Sequence, residues 1–206
     1  MTGLTVPLQL GFLASHGGSN LQAILDAMRE GRLRAEPRIV ISNNSQALAL
    51  ERARAMGIPA IHLSNQTHAD AEALDAAVAE ALAAHGAELV VLAGYMKRVG
   101  PRVLTAFPRR ILNIHPALLP KFGGQGMYGM RVHQAVLAAR ERESGATIHL
   151  VDADYDHGPT LAQARVPVRP DDTPESLQAR VLSVEHRLYT DTLIRIASGE
   201  IDLDAR

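Results

Sequence analysis

The sequence contains no cysteine and no tryptophan, and aromatic residues fill only 3% of its 206 positions. The missing thiols exclude a disulfide framework, a thiolate nucleophile, a cysteine-based zinc site and iron–sulfur ligation together. So few aromatics argue against a base-stacking platform for single-stranded nucleic acid. Neither sign of charge is in excess: 21 Lys and Arg face 22 Asp and Glu, a formal net charge of −1. No chain-wide field is therefore available to hold nucleic acid or an anionic membrane, and an anionic ligand needs a local site. Long apolar runs are absent too, none approaching the ~18 residues of a membrane span. Met1 to Ala14 carries a shorter apolar run without the basic leader or small-residue cleavage site of a secretory signal. The expectation is a soluble, cytoplasmic chain with small-molecule ligands and neither nucleic acid nor membrane as partner.

What is present is ordinary globular composition, 47% hydrophobic and 21% charged, enough for one domain over residues 1–206. No linker, internal repeat or low-complexity tract divides it. Short β-branched runs alternate with Ala/Leu/Glu/Arg-rich segments, which implies an α/β fold, a mostly parallel twisted sheet with helices on both faces. Strands are expected at Val6 to Ala14, Arg38 to Ser42, Ala60 to Leu63, Leu89 to Ala93, Ile111 to Ile114, Ala146 to Val151 and Ala162 to Val168. Helices are expected to begin near Asn20, Ser45, Ala69, Pro101, Arg131 and Thr173, the third closing at His85 before Gly86 and the last opening with Thr173 as cap and Pro174 behind it. The first and fourth strands are nearly continuous in apolar residues, as central parallel strands are. Lys121 to Met130, with four glycines, reads as a mobile loop.

Three segments carry chemistry. Ser15-His16-Gly17-Gly18-Ser19-Asn20 follows the first strand and opens a helix, so backbone N–H groups and the helix end favour a phosphate there, with Ser19 and Asn20 able to bond it or cap the helix. It matches neither the dinucleotide fingerprint nor the Walker A pattern, which points to a mononucleotide-type phosphate. Asn113-Ile114-His115-Pro116 ends a strand; Asn113 and His115 project to the same side, an amide beside an imidazole suited to an oxyanion or tetrahedral centre. His149 to Pro159 runs from a strand into an acidic loop, where Asp156 could accept a proton or hold an imidazolium, and Asp152 and Asp154 read as solvated. No pattern sets several ligands on one rigid element, so no metal is expected.

These segments, with Leu92-Ala93-Gly94-Tyr95-Met96 between them and Ala117-Leu118-Leu119-Pro120-Lys121 after the histidine, closely resemble the phosphoribosylglycinamide formyltransferase family. The resemblance implies a Rossmann-like N-terminal half and transfer of a formyl group from 10-formyltetrahydrofolate, a co-substrate rather than a permanently bound cofactor, to the amine of glycinamide ribonucleotide in purine synthesis. It implies a catalytic triad of Asn113, His115 and Asp156, supported by His149. It assigns the ribonucleotide phosphate to Gly17, Gly18, Ser19 and Asn20 in the N-terminal half, and the ribose to Glu185. Folate falls to Met96, Lys97, Arg98, Val99, Asn113, Asp152 and Asp156, largely toward the C-terminal half, with the active site between. Asp156 beside His115 is expected to raise the imidazole pKa, so that a protonated His115 and the Asn113 amide stabilise the formyl oxygen. A monomer or a homodimer is compatible with all of this.

The sequence departs from the family pattern at His16-Gly17, where Gly-Asn or Gly-Thr is usual, and at Ala117, where Ser is frequent. Phe122 to His133 is longer than usual, and Lys97-Arg98 is more basic than the common Arg-aliphatic pair. Two relatives share formyl-folate chemistry, methionyl-tRNA formyltransferase and formyltetrahydrofolate hydrolase, each with an extra domain for which 206 residues leave little room. A non-catalytic nucleotide-binding module is the alternative from another class.

Overall fold

A computed structural model describes residues 6–205. Its elements, in chain order, are β1 (Leu8–Ala14), α1 (Ser19–Arg29), β2 (Ala35–Ser42), α2 (Leu48–Ala55), β3 (Ala60–His62), α3 (Ala71–Ala84) and β4 (Leu89–Leu92). They continue with α4 (Pro101–Ala106), β5 (Ile111–His115), α5 (Met130–Ala138), β6 (Glu143–Leu150), β7 (Thr160–Pro167) and α6 (Pro174–Ala197). The seven strands form one sheet in the order β3-β2-β1-β4-β5-β6-β7. The first five are parallel to their neighbours, whereas β6 pairs antiparallel with β5 and with β7.

Local sequence explains the element ends. Residues 6 and 7 lie outside β1, where Pro7 has no N–H to donate. Asp70 accepts the Ala73 N–H at 2.8 Å and so starts α3 two residues later than the alanine run suggests. At the other end Gly86, φ 71°, takes the left-handed position that releases the chain toward β4. Thr173 and Ser176 form a capping box with Pro174 inside it, as expected for α6. The β6–β7 pair departs from the βαβ pattern. Nine residues, 151–159, separate the end of β6 from the start of β7, too few for a crossover, so the chain turns back as an antiparallel ribbon.

The sheet has a hydrophobic core on each face. α1, α2, α5 and α6 pack Leu21, Leu50, Val136 and Leu193 on one side with Phe12, Val91 and Leu112. α3 and α4 pack Val78, Leu82 and Val103 on the other with Leu13, Val90 and Ile111. β4 lies at the centre and its four residues are all buried, each such side chain contributing about 1.5–3 kcal/mol. This sandwich holds the carboxyl ends of β1, β4 and β5 in fixed register, and the glycine turn, the segment 95–99 and the residues after His115 leave the sheet there. No helix among the described residues is long and apolar enough to cross a membrane.

Candidate active site

The antiparallel register sets Asn113 opposite His149 and His115 opposite Thr147, so the amide and both imidazoles share one face of the sheet. His149 Nδ1 donates to the Leu150 carbonyl at 2.9 Å. Its Nε2 lies 3.1 Å from the Asn113 amide nitrogen. His115 Nε2 donates to the Phe122 carbonyl at 2.7 Å, which leaves Nδ1 as the open ring nitrogen, 3.4 Å from Asp156 Oδ2. Asp156 Oδ1 lies 3.4 Å from His149 Nε2, and the Gly124 N–H donates to Oδ2 at 2.9 Å. One carboxylate thus stands between two imidazoles, with Asn113 alongside.

Burial is the largest influence on His115 and brings its pKa below the ordinary 6.5; Asp156 and the Phe122 carbonyl oppose this without reversing it. The expected rise is therefore corrected to a fall. The ring is 3% exposed, and removing water from an imidazolium outweighs attraction to a carboxylate at this separation. Asp156 shows the reverse balance. Burial pushes its carboxyl up, yet His149, His115 and the Gly124 N–H together hold it below 3.8. At neutral pH the pair is a carboxylate beside a neutral imidazole.

The loop that carries Asp156 is closed by a close backbone approach. Leu150 N–H donates to the Pro159 carbonyl at 2.9 Å, and a Cβ on Gly158 would fall 1.8 Å from the Leu150 carbonyl oxygen. Asp152 and Asp154 are exposed, as anticipated, and form a local turn in which Asp152 Oδ1 accepts the Asp154 N–H. Arg98 reaches across to this loop. Its guanidinium donates to the Ala153 carbonyl and lies 5.7 Å from the centre of the Tyr155 ring. Lys97, Arg98, Val99, Asn113, His149 and the loop, including Asp152 and Asp156, enclose a cavity of about 80 Å³. It adjoins a cleft of about 1140 Å³ under α3 and α4, with Tyr95, Lys97, Arg98, Val99 and Ala153 in both walls. Met96 lines neither and is 41% exposed.

The glycine turn after β1 leads straight into α1. Gly18 is the N-cap residue, left-handed at φ 66°, and no side chain caps the helix; the reading of Ser19 or Asn20 as a cap is corrected, because both already lie within the helix or turn inward. Asn20 donates to Glu185 Oε2 at 2.9 Å in a buried pair between α1 and α6. Burial raises the Glu185 pKa and the Asn20 bond opposes the rise. The two glycines differ. A Cβ on Gly18 would lie 2.8 Å from Ala49 Cβ, whereas one on Gly17 would meet nothing within 4 Å. Gly18 serves the packing of α2, and Gly17 faces open space.

A family model described as formyl transferase matches residues 8–193. The chain belongs to the formyl transferase family. Within that family it is 36% identical over 191 residues to the phosphoribosylglycinamide formyltransferase of Escherichia coli, covering 93% of this chain and 88% of that one. It is 40% identical over 194 residues to the chloroplastic phosphoribosylglycinamide formyltransferase of Arabidopsis thaliana, covering 94% of this chain and 66% of the relative. It spans 62% of the corresponding Vigna unguiculata protein and 14% of the trifunctional purine biosynthetic protein of Drosophila melanogaster. The structure of glycinamide ribonucleotide transformylase 1 from Symbiobacterium toebii superposes with a TM-score of 0.91 at 43% identity, covering 100% of this chain and 95% of that one. Formyl transferase likeness thus extends over both sides of the site, from β1 to α6.

Some members of the site escaped sequence reasoning. Phe122 and Gly124 lie in the glycine-rich stretch read only as a loop, yet a carbonyl and an N–H from it hold His115 and Asp156. Its density of glycines was the available signal. Arg52 on α2 donates through Nε to the Gly17 carbonyl at 2.9 Å and through a terminal nitrogen to Gln22 Oε1 at 2.8 Å. It sets a cation behind the glycine turn, and no local pattern marks it.

Proposed function

We propose that this formyl transferase moves the formyl group of 10-formyltetrahydrofolate to the amine of 5′-phosphoribosylglycinamide, giving the N-formyl product of purine synthesis. The observation that carries the reading is the meeting of Asn113, His115 and Asp156 at the end of β5, with Asn113 and Asp156 in the wall of the small cavity beside Lys97 to Val99. In this reading the ribonucleotide phosphate rests on the turn Gly17 to Asn20, against the N-terminus of α1. Glu185 reaches the ribose, and the pteridine enters the cavity between Val99 and the acidic loop.

The amine nitrogen bonds to the formyl carbon, negative charge develops on the formyl oxygen, and the Asn113 amide donates to it. The amine proton passes to the open Nδ1 of His115, where Asp156 offsets the new charge, and from there to the departing folate nitrogen as its bond to carbon breaks. A neutral imidazole is ready for that task; one already protonated is not. The two residues act as a coupled pair. No covalent enzyme intermediate is required, in keeping with the lack of cysteine.

The test is a spectroscopic assay of tetrahydrofolate release with and without glycinamide ribonucleotide. Release that depends on the ribonucleotide, with N-formyl product formed one for one, is expected. Release without it would identify a hydrolase, and no release at all would leave a binding module.

A further inference from the structure

β1 and β4 are neighbours in the sheet, but the chain leaves them toward opposite faces, β1 to α1 beside α6 and β4 toward α4 beside α3. Strand ends usually part at such a switch point, and ligands enter the crevice that opens. Here the ladder continues beyond the strands. Ala93 N–H donates to the Leu13 carbonyl at 2.8 Å, and Ser15 N–H to the Gly94 carbonyl at 3.1 Å. The next rung is a side chain: Ser15 Oγ accepts the Met96 N–H at 2.8 Å and donates its own proton to Asn43 Oδ1 at 2.5 Å. The Ser15 carbonyl accepts from Asn44 at 3.3 Å. Ser15 is 1% exposed, so none of these partners is readily replaced by water.

The neighbours of this hydroxyl along the chain give it meaning. Ser15 stands two residues before Gly17 of the glycine turn, and Met96 immediately precedes Lys97 to Val99. We infer that Ser15 is a positioning residue that couples the two substrate half-sites. A ligand that orders the glycine turn restrains the folate-side segment through one buried atom, and the reverse follows by linkage. Serine suits this because a hydroxyl accepts and donates at once. The inference rests on the assignment of the two segments to ribonucleotide and folate under Proposed function.

The experiment uses a pair that cannot react, glycinamide ribonucleotide with tetrahydrofolate, which has no formyl group to give. Calorimetry measures the tetrahydrofolate dissociation constant with and without saturating ribonucleotide, for the native chain, Ser15→Ala and Ser15→Thr. The native chain is expected to bind tetrahydrofolate about fivefold or more tightly when the ribonucleotide is present. Ser15→Ala should bring that factor close to one with little change in either single-ligand constant, and Ser15→Thr, which keeps the hydroxyl, should retain it. A native factor of one, or an unchanged factor in Ser15→Ala, overturns the inference. Should the alanine variant not fold, Asn43→Ala removes the hydroxyl's acceptor and must lower the factor in its place; an unchanged factor there also overturns it. Failure of both ligands to bind the native chain would instead defeat the assignment of function.

Discussion

Asp156 occupies a left-handed backbone position, φ 58°, which asparagine and aspartate tolerate better than most residues. Asp156→Asn therefore removes the charge and leaves the loop in place. Steady-state kinetics should show kcat reduced about 10²-fold or more, with each KM within a few fold of native. An unchanged kcat would remove Asp156 from the proton path. The two glycines of the turn after β1 give a second contrast. Gly17→Ala should raise the ribonucleotide KM alone, because its new methyl enters open space where the phosphate is proposed to sit. Gly18→Val meets Ala49 on α2 and a disfavoured φ, so it should lower Tm by several degrees whether or not ligand is present. Equal thermal shifts in the two variants would contradict this division. At this scale the alternation of side chains already put Asn113 beside His115. That Asp156 joins them came from family likeness, since the 40 residues between His115 and Asp156 fold into α5 and β6 before the chain returns.

The loop from residue 151 to 159 is fastened by Arg98, through the Ala153 carbonyl and the Tyr155 ring, to the segment proposed to hold folate. Arg98→Leu, which removes the guanidinium, should loosen the loop. Amide hydrogen exchange over residues 152–156 should quicken and the folate KM should rise several fold, while the ribonucleotide KM stays near native. Exchange at the native rate would show the clasp to be idle. Elements were largely legible because hydrophobic period and turn residues act locally: the Thr173 cap, Gly86 and the apolar run of β4 all stand where the sequence put them. Strand direction was not, since apolar runs look alike in either sense. The short link before β7 was the readable sign of a hairpin. Arg52, Ser15 and the Phe122 carbonyl act across 35, 81 and 7 positions, and only the first two of these distances demand the completed sheet.

Across the whole molecule three wholly or partly buried imidazoles have pKa values that fall for the same reason. Burial leads the causes for His115, His133 and His186. As pH drops below 6.5 the unfolded chain takes up protons that the folded chain refuses, so stability is present above that pH and is lost on acidification. Asp156 adds the same sign below 3.8. Glu185, held above 4.5, has the opposite sign, losing stability as pH rises through its range. Three groups against one predict a lower Tm at pH 5.5 than at pH 7.5, measurable by circular dichroism; an equal or higher Tm at the lower pH would contradict the sum. The four tyrosines carry a different consequence. Tyr189 is fully buried, its hydroxyl on the Leu92 and Leu112 carbonyls. Tyr128 is half exposed beside Arg131, and Tyr95 and Tyr155 stand in the wall of the small cavity. With no tryptophan to mask them, the emission of this chain comes from these rings once the excitation wavelength is too long for phenylalanine to absorb. A pteridine entering the cavity would absorb the light that two of them emit, so the protein carries its own optical gauge of an occupied pocket, readable without any label.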